Sequence, residues 1–200
     1  MSVLLAIDTA APRLQLAVLR DGDRVETLSE DMATGQAERL FPAIDELFSR
    51  AAVAYADLTR VAVTTGPGSF TGLRIGLSAA RGLGLARGIP VLGIPSLAAL
   101  SLAIAGPSAV LLDAKRGEAY VQIFTAPGVP AGEAALLPME DARELVPQGA
   151  DLITSPYVDI AALARFAREA DPDAYPPEAA YIRDADAKPQ EKFRVARVAP

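Results

Sequence analysis

The sequence predicts an α/β fold of two lobes, each with a mixed sheet and covering helices. Two observations carry this prediction. The same order of elements (three strands, a helix, a strand and a helix) runs through each half of the 200 residues. Each half also opens with a short apolar run, typical of a buried strand, that ends in an aspartate: Val3–Ile7 before Asp8, and Val110–Leu112 before Asp113.

The first half of the chain alternates between strand and helix signals. Apolar runs and a turn at Asp21–Asp23 predict three strands at the start. Apolar residues that recur every three or four positions then predict a helix, and Pro42 falls in its first turns, where a missing N–H is least costly. The predicted strands are Val3–Ile7, Leu14–Leu19, Arg24–Leu28, Val61–Thr65 and Val91–Ile94. One predicted helix spans about 36–52, a second is capped by Ser69 or Thr71 and runs to about Arg87, ending at Gly88, and a third, capped by Ser96, spans 96–103.

The second half begins after Gly106-Pro107, and we place the two lobes at residues 1–104 and 105–200. A Pro- and Ala-rich linker follows at Asp171–Pro177, and a polar tail ends the chain. The predicted strands are Val110–Leu112, Ala119–Phe124, Ala134–Leu137, Leu152–Thr154 and Tyr181–Arg183, and the predicted helices are Glu140–Val146 and Asp159–Ala170.

The second predicted helix, which begins within the stretch 64–81, is unusual because it carries four interior glycines. Each costs about 1 kcal/mol relative to alanine, so we expect close approach of another backbone. Gly72, Gly76 and Ala80 share one face, flanked by Leu73 and Leu77. The spacing alone leaves two alternatives open: tight packing on the chain's own sheet, or docking of helices from a partner.

The turn before this helix is a weak candidate for a phosphate site. No Lys-Ser or Lys-Thr follows a glycine, as a P-loop requires, and Gly66, Gly68 and Gly72 miss the dinucleotide-binding spacing by one residue. Asp8 and Asp113 would both point into a cleft, because ligands of α/β sheets collect at the carboxyl ends of strands. The alternative is that each aspartate only caps the turn that follows it.

Composition excludes several classes of protein. A chain with no histidine and no cysteine cannot form a Ser-His-Asp triad, an H-E-x-x-H zinc site or a disulfide. A net charge of −6 argues against an independent nucleic-acid-binding surface. The apolar runs are too short to cross a bilayer and the first residues show no signal-peptide pattern, so we expect a cytoplasmic location and no membrane association.

Four segments carry a resemblance to a known family: Leu5–Ala10, Glu38–Ile44, Gly66–Arg74 and Asp113–Tyr120. They resemble the bacterial TsaB (YeaZ) family, and the Gly-Pro-Gly-Ser-Phe-Thr-Gly block is highly specific to it. The similarity extends from Val3 to the end of the last predicted strand. The resemblance implies an actin-like, Hsp70-like (ASKHA) fold of two lobes.

The resemblance also implies a function. In this family TsaB is a non-catalytic, activating subunit that binds TsaD, with TsaE, for threonylcarbamoyl transfer to the adenosine next to the anticodon in tRNA. Pairing uses the two helices of the N-terminal lobe, a homodimer forms when TsaD is absent, and tRNA binds only through the complex. This favours docking for the small-residue face, and the partner contacts that we expect are Leu40, Ile44, Leu47, Gly72, Leu73, Gly76 and Ala80.

We expect no catalytic residue, no metal and no intrinsic cofactor. ATP or ADP, where it contacts the chain at all, is expected at the partner interface, near Asp8, Thr9, Gly66, Gly68 and Asp113. The loop after Asp8 lacks the glycine of ATP-hydrolysing relatives, which argues against autonomous hydrolysis. The alternative function is a small Mg-dependent ATPase or kinase-like enzyme in which Asp8 and Asp113 hold the ion.

Overall fold

The fold consists of ten strands and five α-helices among residues 2–180 and 182, which are the residues that a computed structural model describes. The strands are β1 (Val3–Asp8), β2 (Arg13–Arg20), β3 (Arg24–Asp31), β4 (Arg60–Thr64), β5 (Val91–Ile94), β6 (Ser108–Lys115), β7 (Glu118–Ala126), β8 (Val129–Pro130), β9 (Ala135–Pro138) and β10 (Asp151–Ile153). The helices are α1 (Gln36–Ala51), α2 (Phe70–Arg87), α3 (Ser96–Ser101), α4 (Met139–Glu144) and α5 (Ile160–Glu169).

The strands form two mixed sheets. The first has the order β3-β2-β1-β4-β5, in which β1, β4 and β5 are parallel and β2 and β3 are antiparallel neighbours. The second has the order β10-β6-β7-β8, and β9 also pairs with β7. These sheets and their helices confirm the predicted α/β class.

Most predicted elements agree closely with the structure. α1 and α2 lie within about a residue of their predicted bounds, and Gly88 ends α2 in the left-handed conformation with φ of 63°. Ser69 caps α2, because its side chain accepts a hydrogen bond from the Gly72 amide. Ser96 does not cap α3, since its hydroxyl accepts instead from the Gly66 amide. The strand predicted at Tyr181–Arg183 lies outside the described residues, apart from Ile182.

The first sheet is covered on both faces. Val3, Leu5 and Ile7 of β1 face a core shared with α1 and α2, whereas Leu4 and Ala6 face the opposite core. The opposite core contains α3 and α5 and one face of the second sheet. Burial on both faces explains why β1 is a continuous apolar run rather than an alternating one.

Helix α5 belongs to the second half of the sequence, yet it packs on β1 and β2 of the first sheet. Its side chains Leu163, Ala164 and Ala167 are fully buried there. Each sheet is built from one half of the chain, whereas the helical cover is not. The division into lobes at residues 1–104 and 105–200 therefore stays a prediction.

Candidate functional site

The small-residue face of α2 is directed inward. A Cβ atom added at Gly72 would collide with the carbonyl oxygen of Thr9, and one at Gly76 would lie 2.6 Å from the Thr9 hydroxyl and 3.2 Å from Val63 Cγ2. Ala80 is fully buried in the same core. The prediction that these residues form an exposed docking face is wrong, because α2 uses its glycines to lie close to the chain's own β1 and β4.

The other residues predicted to contact a partner are buried for the same reason. Each is at most 3% exposed and packs within the protein itself: Leu40, Ile44, Leu47 and Leu73. Leu40 reaches the surface groove described next, whereas a partner helix that approaches from outside would not contact the main part of Ile44, Leu47 or Leu73. On each helix, the residues that face outward are the sequence neighbours of these buried residues.

The outward side of the two helices forms an apolar groove of about 590 Å³. Phe41 of α1 and Phe70 of α2 are exposed at 45% and 54%, which is unusual for two neighbouring aromatic residues. We call this surface the α1–α2 groove; it is lined by Ala37, Leu40, Phe41, Phe70, Thr71, Arg74, Ile75, Ser78, Ala79 and Gly82. The spacing of Arg74 and Ser78 on α2 was a signal for this outward face in the sequence, since polar side chains mark the solvent side of a helix.

A second cavity, of about 520 Å³, lies where the two sheets meet. We call it the cleft, and its lining combines apolar and polar side chains from both halves of the chain. Asp8 and Asp113 both line it, which was one of the two alternatives that the sequence left open. Each also accepts a hydrogen bond from the amide two residues later, as the turn-capping alternative requires. Its other lining residues are Ala10, Ala11, Pro12, Pro67, Gly68, Ser69, Ser96, Leu100, Leu112, Ala114, Lys115, Tyr120, Thr154, Pro156 and Val158.

Asp8 is completely enclosed at the inner end of the cleft. Its Oδ1 accepts hydrogen bonds from the Thr64 hydroxyl at 2.5 Å and from the Ala10 amide at 3.1 Å. Burial raises the pKa of Asp8 above its ordinary value of 3.8, and these two hydrogen bonds offset the effect only in part. Burial therefore penalises the charged form of this carboxyl group.

Asp8 and Gln15 each carry a buried oxygen atom without a hydrogen-bond donor in the part of the chain that the structure describes. Asp8 lies directly opposite Gln15 in the β1–β2 ladder. Asp8 Oδ2 and Gln15 Oε1 are both buried acceptors without a hydrogen-bond partner among the described residues. Directly opposite side chains on one face of a sheet are near neighbours, so a proton on Asp8 would supply a donor where two acceptors lack one.

Asp113 has a different environment. It is exposed, its Oδ1 accepts from the Lys115 amide at 2.7 Å, and its Oδ2 lies 3.0 Å from Lys115 Nζ. The hydrogen bond from the Lys115 side chain is the main cause that lowers the pKa of Asp113. This carboxylate is ionised but already paired with a cation. Within residues 2–180 and 182 the structure contains no cluster of three or more metal-ligating side chains.

The remaining residues predicted near a nucleotide are divided between the cleft and the core. Gly68 lines the cleft, and a Cβ atom there would lie 2.7 Å from the Ala10 carbonyl oxygen. Thr9 is buried beneath α2 and donates from its hydroxyl to the Gly72 carbonyl at 2.7 Å. Gly66 has a φ of 107° and its amide is bonded to Ser96. Thr9 and Gly66 thus shape the loops around the cleft rather than its lining.

The two carboxyl groups that line the cleft have different environments. Asp8 is enclosed and its pKa is raised by burial, Asp113 is paired with Lys115, and the loop after Asp8 packs on α2. No helix in the described part of the chain is long and apolar enough to cross a membrane.

Two mixed sheets that meet at a cleft, with helices packed between them and on their outer faces, are the arrangement of an actin-like ATPase-type fold. The solved structure of YeaZ from Pseudomonas aeruginosa has this fold and superimposes with a TM-score of 0.75 at 27% identity, over 90% of this chain and all of that one. A family model described as tRNA N6-adenosine threonylcarbamoyltransferase (TsaD) matches residues 30–136, more than half of the chain.

Two curated relatives place the chain more narrowly. An uncharacterised protein of Mycobacterium tuberculosis is 43% identical over 123 residues, covering 60% of this chain and 58% of that protein. The tRNA threonylcarbamoyladenosine biosynthesis protein TsaB of Bacillus subtilis is 32% identical over 124 residues, 60% and 54% of the two chains. The chain therefore belongs to the TsaD-related family, on its TsaB (YeaZ) branch, which confirms the resemblance seen in the sequence. The matched part spans little more than half the length of these curated relatives.

Proposed function

We propose that this chain is a non-catalytic subunit of the machinery that makes threonylcarbamoyladenosine in tRNA, and that it activates a TsaD-type transferase subunit by binding it, in company with TsaE. The role named for the Bacillus relative supports the pathway. The observation that carries the subunit role is the exposed α1–α2 groove, which lies beside a cleft whose carboxyl groups are enclosed or already paired.

The α1–α2 groove offers enough apolar surface to hold a partner. Phe41 and Phe70 together leave on the order of 200 Å² exposed, and covering that area contributes roughly 5 kcal/mol before the entropic cost of association. Without a TsaD-type subunit the same groove would pair two copies of this chain, because a two-fold contact uses one patch on both partners.

The chemical step would belong to the partners. The chain has no histidine or cysteine, Asp8 is enclosed and hydrogen-bonded to Thr64 and Ala10, and Asp113 is paired with Lys115. We infer that ATP or ADP and the tRNA are bound mainly by the other subunits, in the cytoplasm, and that nucleotide reaches this chain only at the partner interface.

Co-purification with the transferase subunit of the same genome tests this proposal. The wild-type chain is expected to bring that subunit down and to raise its threonylcarbamoyl transfer to tRNA. Gly82→Leu is the groove variant of choice, because a side chain there meets nothing within 4 Å in the free protein but projects into the groove. It is expected to lose the complex and remain folded. Retained binding by a folded Gly82→Leu chain would place docking elsewhere.

A second candidate is a small Mg-dependent ATPase or kinase-like enzyme, and one observation favours it: Asp8 and Asp113 line the same cleft. The isolated chain would then turn over ATP, and Asp8→Asn would abolish the activity. Our proposal expects no turnover above a blank with either chain. Repeated turnovers by the wild type that disappear in Asp8→Asn would replace the subunit role with this one.

A further inference from the structure

The α1–α2 groove contains one charged side chain among ten lining residues. This is Arg74, whose guanidinium carbon lies 3.9 Å from the centre of the Phe70 ring, a cation–π contact within α2 itself. No carboxylate in the described part of the chain forms an ion pair with Arg74. The positive charge of Arg74 therefore lies between the face of the Phe70 ring and solvent, in a groove whose other lining residues are uncharged.

The helix that carries this cation has no acidic residue anywhere. Its 18 residues, Phe70–Arg87, include arginine at positions 74, 81 and 87 and no aspartate or glutamate. Any surface that covers α2 consequently meets positive charge. At the groove itself, Arg74 is the cation that a partner must cover.

Covering the groove removes Arg74 from water. An ion buried without a counter-charge loses more in hydration than the surrounding apolar contacts return, whereas a paired and hydrogen-bonded ion does not. The planar guanidinium group is suited to a carboxylate, which it binds through two parallel hydrogen bonds. A partner that fills the groove with apolar side chains alone would therefore bind poorly.

We propose that Arg74 selects the partner: the transferase subunit presents a helix face on which a large apolar side chain lies one turn from an aspartate or glutamate, and that carboxylate pairs with Arg74. The partner's apolar side chain inserts between Phe41 and Phe70. Its carboxylate forms an ion pair with the Arg74 guanidinium group, and this ion pair replaces the cation–π contact between Arg74 and the Phe70 ring. This inference rests on the proposed function, and it adds the chemistry by which the groove distinguishes one helical surface from another.

A second copy of the chain is the competing occupant. Its α1 presents Phe41 with the exposed Glu38 one turn earlier, the same combination of aromatic ring and carboxylate. Self-association would use Glu38 as the counter-charge of Arg74. The experiment must therefore separate the two occupants.

The experiment measures the dissociation constant for the transferase subunit of the same genome, at about 50 and 300 mM salt, with the full chain and three variants. Arg74→Gln keeps the length and polarity of the side chain but leaves the partner's carboxylate unpaired; we expect binding about 10- to 100-fold weaker, with a smaller salt dependence. Arg74→Glu is expected to abolish measurable binding. Arg87→Gln is the matched control, because Arg87 is exposed on α2 outside the groove and bonds the Ala56 carbonyl; its affinity is expected to equal that of the wild type.

The outcomes separate this inference from the proposed function. If Gly82→Leu abolishes the complex but Arg74→Gln binds as tightly as the wild type, the groove docks the transferase and the selecting role of Arg74 is wrong. If neither variant weakens binding, docking through the groove is itself wrong. If Arg74→Glu and Glu38→Arg each prevent self-association and the double variant restores it while transferase binding ignores position 74, the occupant is a second copy and our assignment is overturned.

Discussion

At the scale of single residues, Gly76 shows how tightly α2 lies on the sheet. A side chain there would press on the Thr9 hydroxyl and on Val63, both in the fully buried core. We predict that Gly76→Leu lowers the free energy of unfolding by about 1–3 kcal/mol, and the melting temperature by roughly 2–12 °C, through overpacking. Thermal unfolding followed by circular dichroism measures the change.

Gly82→Leu is the control for that prediction, since it adds the same side chain on the open side of the same helix. It is expected to keep or slightly raise the melting temperature, because removing an interior glycine recovers about 1 kcal/mol of helix propensity. Equal melting temperatures for the two variants would contradict the inward orientation of the small-residue face.

Asp8 gives a prediction about pH. Its folded-state pKa is raised, so the native state binds a proton that the unfolded chain has released, and stability from this residue falls as pH rises above about 3.8 toward the folded pKa. An asparagine side chain at this position would mimic the neutral acid and would not titrate. We predict that Asp8→Asn is at least as stable as the wild type at pH 7, and that its advantage in melting temperature grows as pH rises from 4.

The paired carboxylates Asp23, Glu30 and Asp113 act in the opposite sense, because their pKa values are lowered and their contribution is lost as pH falls. These carboxylates are present in both the wild type and the Asp8→Asn variant. The difference between the two melting temperatures at each pH therefore reports the contribution of Asp8 alone. A difference that shrinks as pH rises would mean that the native state stabilises the Asp8 carboxylate.

At the scale of elements, Arg60 at the start of β4 holds the end of α5. Its Nη1 donates to the carbonyl oxygens of Ala167, Arg168 and Ala170 at 2.7–3.0 Å, where the last carbonyls of a helix lack partners of their own. We predict that Arg60→Met, which keeps the aliphatic stem, costs about 1.5–3 kcal/mol in urea unfolding. It should also speed amide hydrogen exchange in α5.

Arg87→Met is the control for Arg60, because the Arg87 side chain donates to one carbonyl, that of Ala56, on an exposed surface. Such surface changes usually stay within about 0.5 kcal/mol. If the two variants lose the same stability, the contact of Arg60 with α5 contributes no more than an ordinary surface hydrogen bond.

The elements also show what the sequence could predict. The bounds of α2 followed from Ser69 and Gly88, since these residues act on their own neighbourhood. Pro42 marked no bound, because it lies inside α1, beyond the first turn in which its missing N–H would cost least. The orientation of α2 was not predicted, because glycine, alanine and leucine occur on both of its sides and only a few polar residues, Arg74 and Ser78 among them, mark the outer one. The sheet on which α5 packs could not be predicted either. The spacing of its apolar residues shows that one face is buried, but it does not show against which sheet.

The same limit applies to the candidate sites: features set by neighbouring residues could be predicted, and features set by packing between distant segments could not. Asp8 and Asp113 were expected at one cleft because both end a buried strand, and the strand geometry brings them there. The enclosure of Asp8 could not be read from the sequence, since it depends on Thr64, Gln15 and the loop of Ala10, which come from three different segments. The groove was missed for a simpler reason: Phe41 and Phe70 are residue types that usually lie inside a protein.

At the scale of the whole molecule, the two halves of the chain are joined by more than the cleft. Beyond α5, the Gly93 amide donates to the Tyr175 carbonyl at 2.9 Å, and the Ala180 amide donates to the Thr65 carbonyl at 2.9 Å. Arg81 of α2 also donates to the Pro177 carbonyl. The last described segment thus crosses the β5 edge and covers unpaired backbone groups that an exposed strand would otherwise present.

Net charge governs how the whole molecule meets tRNA. With a charge of −6, the isolated chain lacks the basic excess that releases counterions from a nucleic acid. We predict that alone it binds tRNA no more tightly than the non-specific range of about 10⁻⁴ to 10⁻⁶ M at physiological salt, and that adding the transferase subunit creates a tighter site.

Fluorescence anisotropy with labelled tRNA, titrated with the chain, the transferase subunit and the complex at about 50 and 200 mM salt, measures this. The Arg74→Glu chain is a useful control, because it should leave the transferase subunit's own tRNA affinity unchanged while removing any gain that comes from the complex. Tight binding by the lone chain that weakens steeply with salt would show that this protein contacts tRNA directly, through positive charge that the total of −6 conceals.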